Sequence, residues 1–412
     1  MTERLYYTNS FLHDFEAGVR QVQFGDNKLH VILDRSAFYP TSGGQDFDTG
    51  WLEFSTVAGT PVRVSVHQVF EDEQSGDVVH VVDSAAGLVP GMHVRGTVDS
   101  SRRRDHMQQH SGQHVLSAAF EKLYGFRTVS FHMGDASCTI DLDTPVLDPG
   151  QLEAAEVLAN EVIAEDRPVE VRFATREAAV EMGVRKIPTT ERDKLRLIDM
   201  GGFDLNACGG THVRSTGQIG SILLRKIEKV KQGTRVEFVC GLRAVRTARR
   251  DFVSLMEAAG LFSTHVWDVP EQARKLIEEV KSSQKALKAM REEVAEWHAA
   301  RLFAIAEERP AGSAQKLLVH YFPDRDLEYV KLMAQKITRM GNIVVLFGAG
   351  DGSPALVFAQ TPGLGNDMGS LMKQTVKRLG TRGGGTRDLA QGGAPSTAVV
   401  EQALLQAVSQ IG

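Results

Sequence analysis

Cysteine is scarce in this chain. Of 412 residues only Cys138, Cys208 and Cys240 are cysteine. So sparse and odd a set argues against a disulfide framework and for a reducing compartment, so a cytoplasmic protein is expected. No run of about 18 apolar residues occurs, so no transmembrane helix and no membrane partner are expected. The opening stretch, MTERLYYTNSFLHDF, carries acidic residues early and lacks an apolar core, so no secretory signal is expected. Neither sign of charge dominates: 47 Lys and Arg against 52 Asp and Glu give a net charge of −5. A polyanionic partner would therefore need a local basic patch. The hydrophobic and charged fractions, 42% and 24%, are ordinary, which excludes global disorder and a collagen-like chain. The length suggests two to four domains.

The order of patterns predicts an α+β multidomain protein. Residues 1–100 read as a β-rich, barrel-like N-terminal domain. Their β-branched runs 29–34, 62–70, 77–83 and 93–99 are separated by turn residues. One polar, glycine-rich insert stands out, Phe38-Tyr39-Pro40-Thr41-Ser42-Gly43-Gly44-Gln45. Residues 101–242 read as an α+β domain. It opens with a helix capped by Ser100 or Ser101, carrying Leu116, Phe120 and Leu123 as a buried stripe and ended by Gly125. Residues 243–310 form a helical linker. In it Ala273, Leu276, Val280, Leu287, Met290, Val294 and Trp297 follow coiled-coil-like spacing, with Ser283 as the polar break and Pro310 as the stop. That seam serves an intramolecular hairpin or a dimer. Residues 311–412 read as a small α/β domain.

The strongest chemical signal joins two distant segments. His106, His110 and His114 repeat every four residues, which places them along one helix face. Far downstream stands Cys208-Gly209-Gly210-Thr211-His212. Two glycines between Cys and His let both side chains reach one point, and an N₃S donor set suits zinc. Surface histidines and a core cysteine are the plain reading of either segment alone. Two i, i+4 pairs together favour a metal. Geometry allows His106 with His110, or His110 with His114. All three on one ion are disfavoured, since His106 and His114 are about 12 Å apart along a helix.

These motifs resemble a known family. His110-Ser-Gly-Gln-His114 followed by Cys208-Gly-Gly-Thr-His212 is similar to the editing domain of alanyl-tRNA synthetase. It is more similar still to the free-standing alanyl-tRNA editing (AlaX) proteins. The Phe38–Gln45 insert resembles the family's N-terminal glycine motif, and Thr216-Gly-Gln-Ile-Gly220 follows the Cys–His motif as in the family. Gly383-Gly-Gly-Thr-Arg387 through Ala390-Gln-Gly-Gly393 resembles the glycine signature of the DHHA1 domain, so the long form of the family is implied. The resemblance implies that 101–242 is a zinc-binding editing domain and that His110, His114, Cys208 and His212 are the ligands. His106 is then an outer-sphere or helix-face residue, or simply a solvated histidine. The implied reaction is hydrolysis of the ester joining serine, and also glycine, to alanine tRNA. Zinc would lower the pKa of water and polarise the carbonyl. Four protein ligands describe a closed site, so catalysis at the ion needs a ligand to leave or the coordination to expand; otherwise zinc orients substrate.

Selection of serine over alanine needs a polar partner for the serine hydroxyl. Thr128, Ser130 and His132, just after the metal helix, are the candidates, against the plain reading of a solvent-facing strand. Gly43, Gly44 and Gln45 read either as a turn or as backbone and amide groups approaching the acceptor end. For tRNA contacts, Lys373, Lys377, Arg378, Arg382 and Arg387 lie in an acid-free stretch among flexible glycines, and Arg102, Arg103 and Arg104 form a second set. A homodimer through the linker or the C-terminal domain fits the pattern. Three other classes are weighed. A zinc peptidase lacks its helix glutamate, since Ser111 follows His110. A DHH phosphoesterase, which Asp105-His106-Met107 resembles, lacks the further aspartates. A non-catalytic, zinc-stabilised tRNA-binding or dimerising protein would differ by showing no deacylation.

Overall fold

The computed structural model describes the chain except residues 26–27, 57, 84–86, 188–193, 232, 309–313 and 412. Pro310 and the 310/311 boundary lie outside the described residues. Two compact units are found, Met1–Glu257 and Ala258–Gly412. No described helix is long and apolar enough to cross a membrane.

The first unit opens with a closed six-stranded barrel, as its alternating strands require. Its strands are β1 (Asp14–Gly25), β2 (Lys28–Leu33), β3 (Gly50–Ser55), β4 (Pro61–Glu71), β5 (Val78–Val82) and β6 (His93–Val98). They run in the order β1-β2-β5-β4-β3-β6, with β6 closing on β1 in antiparallel register. Val31, Leu33, Phe38, Leu52, Val69 and Val82 fill the interior.

Helix α1 (Ser100–Tyr124) follows directly. Its cap is Asp99, whose carboxylate accepts from Ser101 and Arg102 N–H; the expected Ser100 and Ser101 are one and two positions too late. Gly125 ends it in the left-handed conformation (φ 71°), as expected. Leu116 and Phe120 are buried, whereas Leu123 is 42% exposed, because the stripe turns outward at the last turn. The helix packs under a four-stranded sheet of β7 (Thr128–Met133), β8 (Cys138–Leu142), β12 (Ile222–Val230) and β13 (Gly233–Cys240) in the order β12-β13-β8-β7. Helix α2 (Pro149–Ala164) covers the same core, capped by an Asp148/Gln151 box. A smaller sheet joins β9 (Val169–Ala174), β10 (Leu195–Met200) and β11 (Leu205–Ala207), with α3 (Arg176–Glu181) after β9. Cys138 and Cys240 are wholly buried, as two apolar strands predict.

The sequence predicts one helical linker; the structure holds two long helices there, α4 (Gly241–Phe262) and α5 (Val269–Ala304). In the second unit Leu276, Val280, Leu287, Met290, Val294 and Trp297 on α5 are 45–66% exposed, while Ala295 and Ala299 are buried. The rest is a six-stranded sheet of β14 (Glu307–Glu308), β15 (Lys316–Phe322), β16 (Ile343–Ala349), β17 (Ala355–Gln360), β18 (Gly383–Gly385) and β19 (Leu389–Gly393). Helices α6 (Leu327–Ile337), α7 (Met368–Leu379) and α8 (Val400–Val408) accompany it. Its order is β14-β15-β16-β17-β19-β18, which puts the triple glycine on an edge.

Candidate active site and metal centre

Helix α1 is the floor of the site. His110 and His114 stand on it four residues apart, and the turn after β11 carries Cys208 and His212 across to meet them. One ligand atom from each of the four lies within 4.8 Å of every other. The cysteine sulfur is 3.4 Å from His110 Nε2 and 3.3 Å from His212 Nε2. All three imidazoles are buried; Cys208 is the partly exposed member. The turn can approach this closely because residue 210 is glycine: a Cβ on Gly210 would stand 2.1 Å from His110 Cε1.

Each imidazole is held by its other nitrogen. His110 Nδ1 bonds Gln45 Oε1 at 2.8 Å. His114 Nδ1 bonds Asp204 Oδ2 at 2.9 Å. His212 Nδ1 and Ser111 Oγ are 3.1 Å apart. With every Nδ1 engaged, the Nε2 atoms are the free donors, the outer-sphere pattern that orients metal-bound histidines. Electrostatics follow from the burial. Desolvation opposes a charge on His114, but the Asp204 carboxylate and the Cys208 sulfur push its pKa up to about 9. Burial pushes His212 down to about 3. Burial also opposes ionisation of Cys208, yet the imidazoles of His110 and His212 hold its thiol well below the usual range. Metal binds to a thiolate and neutral imidazoles, so the proton that Asp204 and Cys208 favour on His114 would have to leave as an ion enters. The donor set therefore fits a borderline ion such as zinc.

The sequence does not announce Gln45, Asp204 or Ser111 as partners of the cluster. Gln45 comes from the barrel's glycine insert and is wholly buried. Besides His110 it accepts from Thr211 N (3.0 Å) and donates to Thr211 Oγ1 (2.8 Å). That corrects the expectation of an amide reaching toward the acceptor end: burial commits it to the cluster. Gly43 is exposed at φ +56°, and Gly44 at φ +85° abuts the Phe131 carbonyl, where a Cβ would lie 2.7 Å away. His106 is not solvated. It is 2% exposed, its Nδ1 lacks a partner, and burial lowers its pKa to about 4.

The three hydroxyl-sensing candidates part company on β7. Phe131 stacks on His110 with centroids 5.6 Å apart. Ser130 and His132 are its immediate neighbours, so strand alternation turns both to the exposed face, and Ser130 bonds Asp141 there (2.7 Å). Neither faces the cluster. A register shift against β8 returns Thr128 to the inner side, where its Oγ1 donates to Ser117 Oγ at 2.7 Å. Ser117, wholly buried one turn beyond His114, also accepts from Gln113 (2.8 Å).

Comparison with known proteins places this geometry. A family model described as the threonyl and alanyl tRNA synthetase second additional domain matches residues 195–237. One for tRNA synthetases class II (A) matches residues 3–102. The alanyl-tRNA editing protein AlaX-L of Pyrococcus horikoshii is 28% identical over 396 residues, 95% of this chain and 94% of that one. Nearly the whole of this chain is thus similar to nearly the whole of an alanyl-tRNA editing protein. The alanine–tRNA ligases of Archaeoglobus fulgidus and Halorubrum lacusprofundi are 32% and 31% identical over 95% and 98% of this chain. The chain spans 42% and 43% of their length. The solved C-Ala domain of Aquifex aeolicus alanyl-tRNA synthetase aligns with 23% of this chain and 86% of its own, at 21% identity and a TM-score of 0.21, too low to establish a shared fold.

The basic residues fall into two groups. Lys373, Lys377, Arg378, Arg382 and Arg387 are all exposed, as a phosphate contact requires. Lys373 lies over the β18 glycines, its Cε 3.9 Å from where a Gly384 Cβ would be. Arg387 also donates to the carbonyls of Asn366 and Leu364. In the second group only Arg104 is freely exposed. Arg102 is half-buried against Asp46 (2.8 Å). Arg103 is wholly buried on Asp48 and the carbonyls of Ser10 and Ala37, so it is removed from the tRNA contacts.

Proposed function

We propose that this protein is a trans-editing hydrolase that deacylates alanine tRNA mischarged with serine or glycine. The observation that carries the reading is the convergence of His110, His114, Cys208 and His212, three of them oriented by Gln45, Asp204 and Ser111. These four residues would hold zinc, which when bound supplies Lewis acidity toward the ester carbonyl and acidifies water. The likeness to AlaX-L over nearly the whole chain supports the substrate class.

The chain's own residues have separable tasks. Helix α1 and the 208–212 turn present the four donors. Phe131 covers the His110 ring and shields that side from water. An aminoacyl ester is already activated, so placing it and a water molecule provides much of the catalysis. Thr128, bonded to Ser117 behind the cluster, is the candidate partner for the serine hydroxyl. An alanine ester would leave that polar group unsatisfied, which disfavours it. The exposed lysines and arginines of 373–387 would attract the tRNA phosphates. The unpaired thiols fit a cytoplasmic setting. The exposed α5 face supplies a seam for a second copy.

The deciding experiment charges alanine tRNA with serine, with glycine and with alanine, and follows deacylation of each. Release of serine with alanine spared is expected. Cleavage of no ester while the tRNA still binds would replace this reading by a zinc-stabilised tRNA-binding module.

A further inference from the structure

Arg196, the second residue of β10, is a buried cation without an acid. It is 7% exposed, and among the described residues it belongs to no ion pair. Buried guanidinium groups normally face a carboxylate, because an isolated charge is costly to remove from water. Here every side-chain hydrogen bond but one leads to the metal-site turn. Nη1 donates to Cys208 O at 2.7 Å and to Gly210 O at 3.0 Å. The backbone reciprocates: Cys208 N–H donates to Arg196 O at 3.1 Å. Nε donates to the Tyr7 carbonyl at 2.9 Å, with the guanidinium 5.5 Å from the Tyr7 ring, while Nη2 has no hydrogen-bond partner.

We propose that Arg196 is the positioning residue of the metal-site turn. One nitrogen closes the Cys208-Gly209-Gly210 bend by bridging its first and third carbonyls. The bend is made of residues that hold no shape by themselves, two of them glycines. It needs an external clamp if Cys208 and His212 are to stay on one side. Lysine cannot substitute, since a point charge on a flexible stem lacks the planar fork that reaches Tyr7 O, Cys208 O and Gly210 O together.

This inference rests on the metal reading of the cluster, and Co²⁺ separates the two. The full chain and its Arg196→Lys and Arg196→Met variants are titrated with Co²⁺, following the thiolate-to-cobalt and ligand-field absorption, with circular dichroism as the check on folding. Wild-type protein without a thiolate-to-cobalt band refutes the metal reading itself. If wild type binds, Arg196→Lys is expected to bind about tenfold more weakly and Arg196→Met more weakly again, each with a reduced thiolate band, within the usual outer-sphere range of about 10–100-fold. Folded variants with wild-type affinity and spectrum overturn the proposal while leaving the metal reading intact. If Arg196→Met does not fold, Arg196→Lys decides; failure of both to fold assigns Arg196 to architecture and overturns the positioning role.

Discussion

Removing the Asp204 carboxylate should loosen metal binding without dismantling the ligand set. Asp204 is 4% exposed and accepts from His114 Nδ1 (2.9 Å) and from Arg185 Nε (2.8 Å). Asp204→Ala deletes a charge-assisted bond to His114 worth about 1.5–3 kcal/mol. Among the described residues it also leaves Arg185 only Glu121, at 3.7 Å, as an ion-pair partner. Breaking one side of a buried ion pair costs about 3–5 kcal/mol of stability, at the lower end here because the Arg185 side chain keeps 16% exposure. The His114 ring then turns more freely, so zinc affinity should fall about 10–100-fold. Asp204→Asn keeps an acceptor but not the charge and should fall near the smaller figure. The assay is competition for zinc against a chromophoric chelator, beside denaturant unfolding of the metal-free proteins. A folded Asp204→Ala protein that holds zinc as tightly as wild type would refute the outer-sphere argument.

The remaining predictions concern the ligands, the RNA contact and pH. Cys208→Ala should lose metal and deacylation together, and full activity in the zinc-free variant sinks the metal hypothesis. Gly210→Ala must push the turn off the His110 ring, so metal content measured after purification should drop; stoichiometric metal would show that the turn yields cheaply. Lys377 and Arg382 replaced together by alanine should weaken tRNA binding and reduce its logarithmic salt slope by about 1.5, with the chemistry of bound substrate unchanged; an intact slope removes this segment as the contact. Burial depresses both His80 and His106 to about 4. The unfolded chain takes up their protons first as pH falls below about 6.5, so this stability is complete above that pH and is lost progressively down to about 4. Denaturant midpoints should register about 2 kcal/mol per histidine lost between pH 7 and 5, and a His80→Gln variant should show a shallower slope.

How much was legible follows from where each signal resides. The His-x-x-x-His and Cys-x-x-x-His spacings are local, so helix periodicity and a glycine turn suffice to read them, and the four side chains do meet. The barrel was legible for the same reason, from alternation and turn residues. What was illegible is held by distant partners. Gln45 reaches His110 across 65 positions, Asp204 reaches His114 across 90, and Arg196 reaches Tyr7 across 189. A run of three arginines looks uniform in sequence, yet helix rotation turns Arg103 inward and Arg104 outward. Ser130 and His132 were misplaced because strand phase at β7 is set by a register shift against β8, which no local pattern shows. His106 follows the same spacing as the ligands but lies a turn too early to meet the 208–212 loop.

Helix α1 explains why the site and the fold cannot be separated. From Arg103 to Phe120, every residue except Arg104 and Asp105 is buried, although many of them are polar. Hydropathy alone would place such a helix at a surface. It is stable as a core because its polar atoms find partners: Gln109 spans to the Cys240 backbone through both amide atoms, Gln108 to Gln218 O, Ser111 to Val213 N, and Arg103 to Asp48. Substituting one partner leaves a buried group unsatisfied at about 1–3 kcal/mol, so this helix tolerates little change even away from the four ligands. The barrel segment supplies Asp48 and also Gln45, the partner of His110. It is therefore part of the wall of the site, and residues 101–242 alone would carry His110 and Arg103 without the groups that orient and neutralise them.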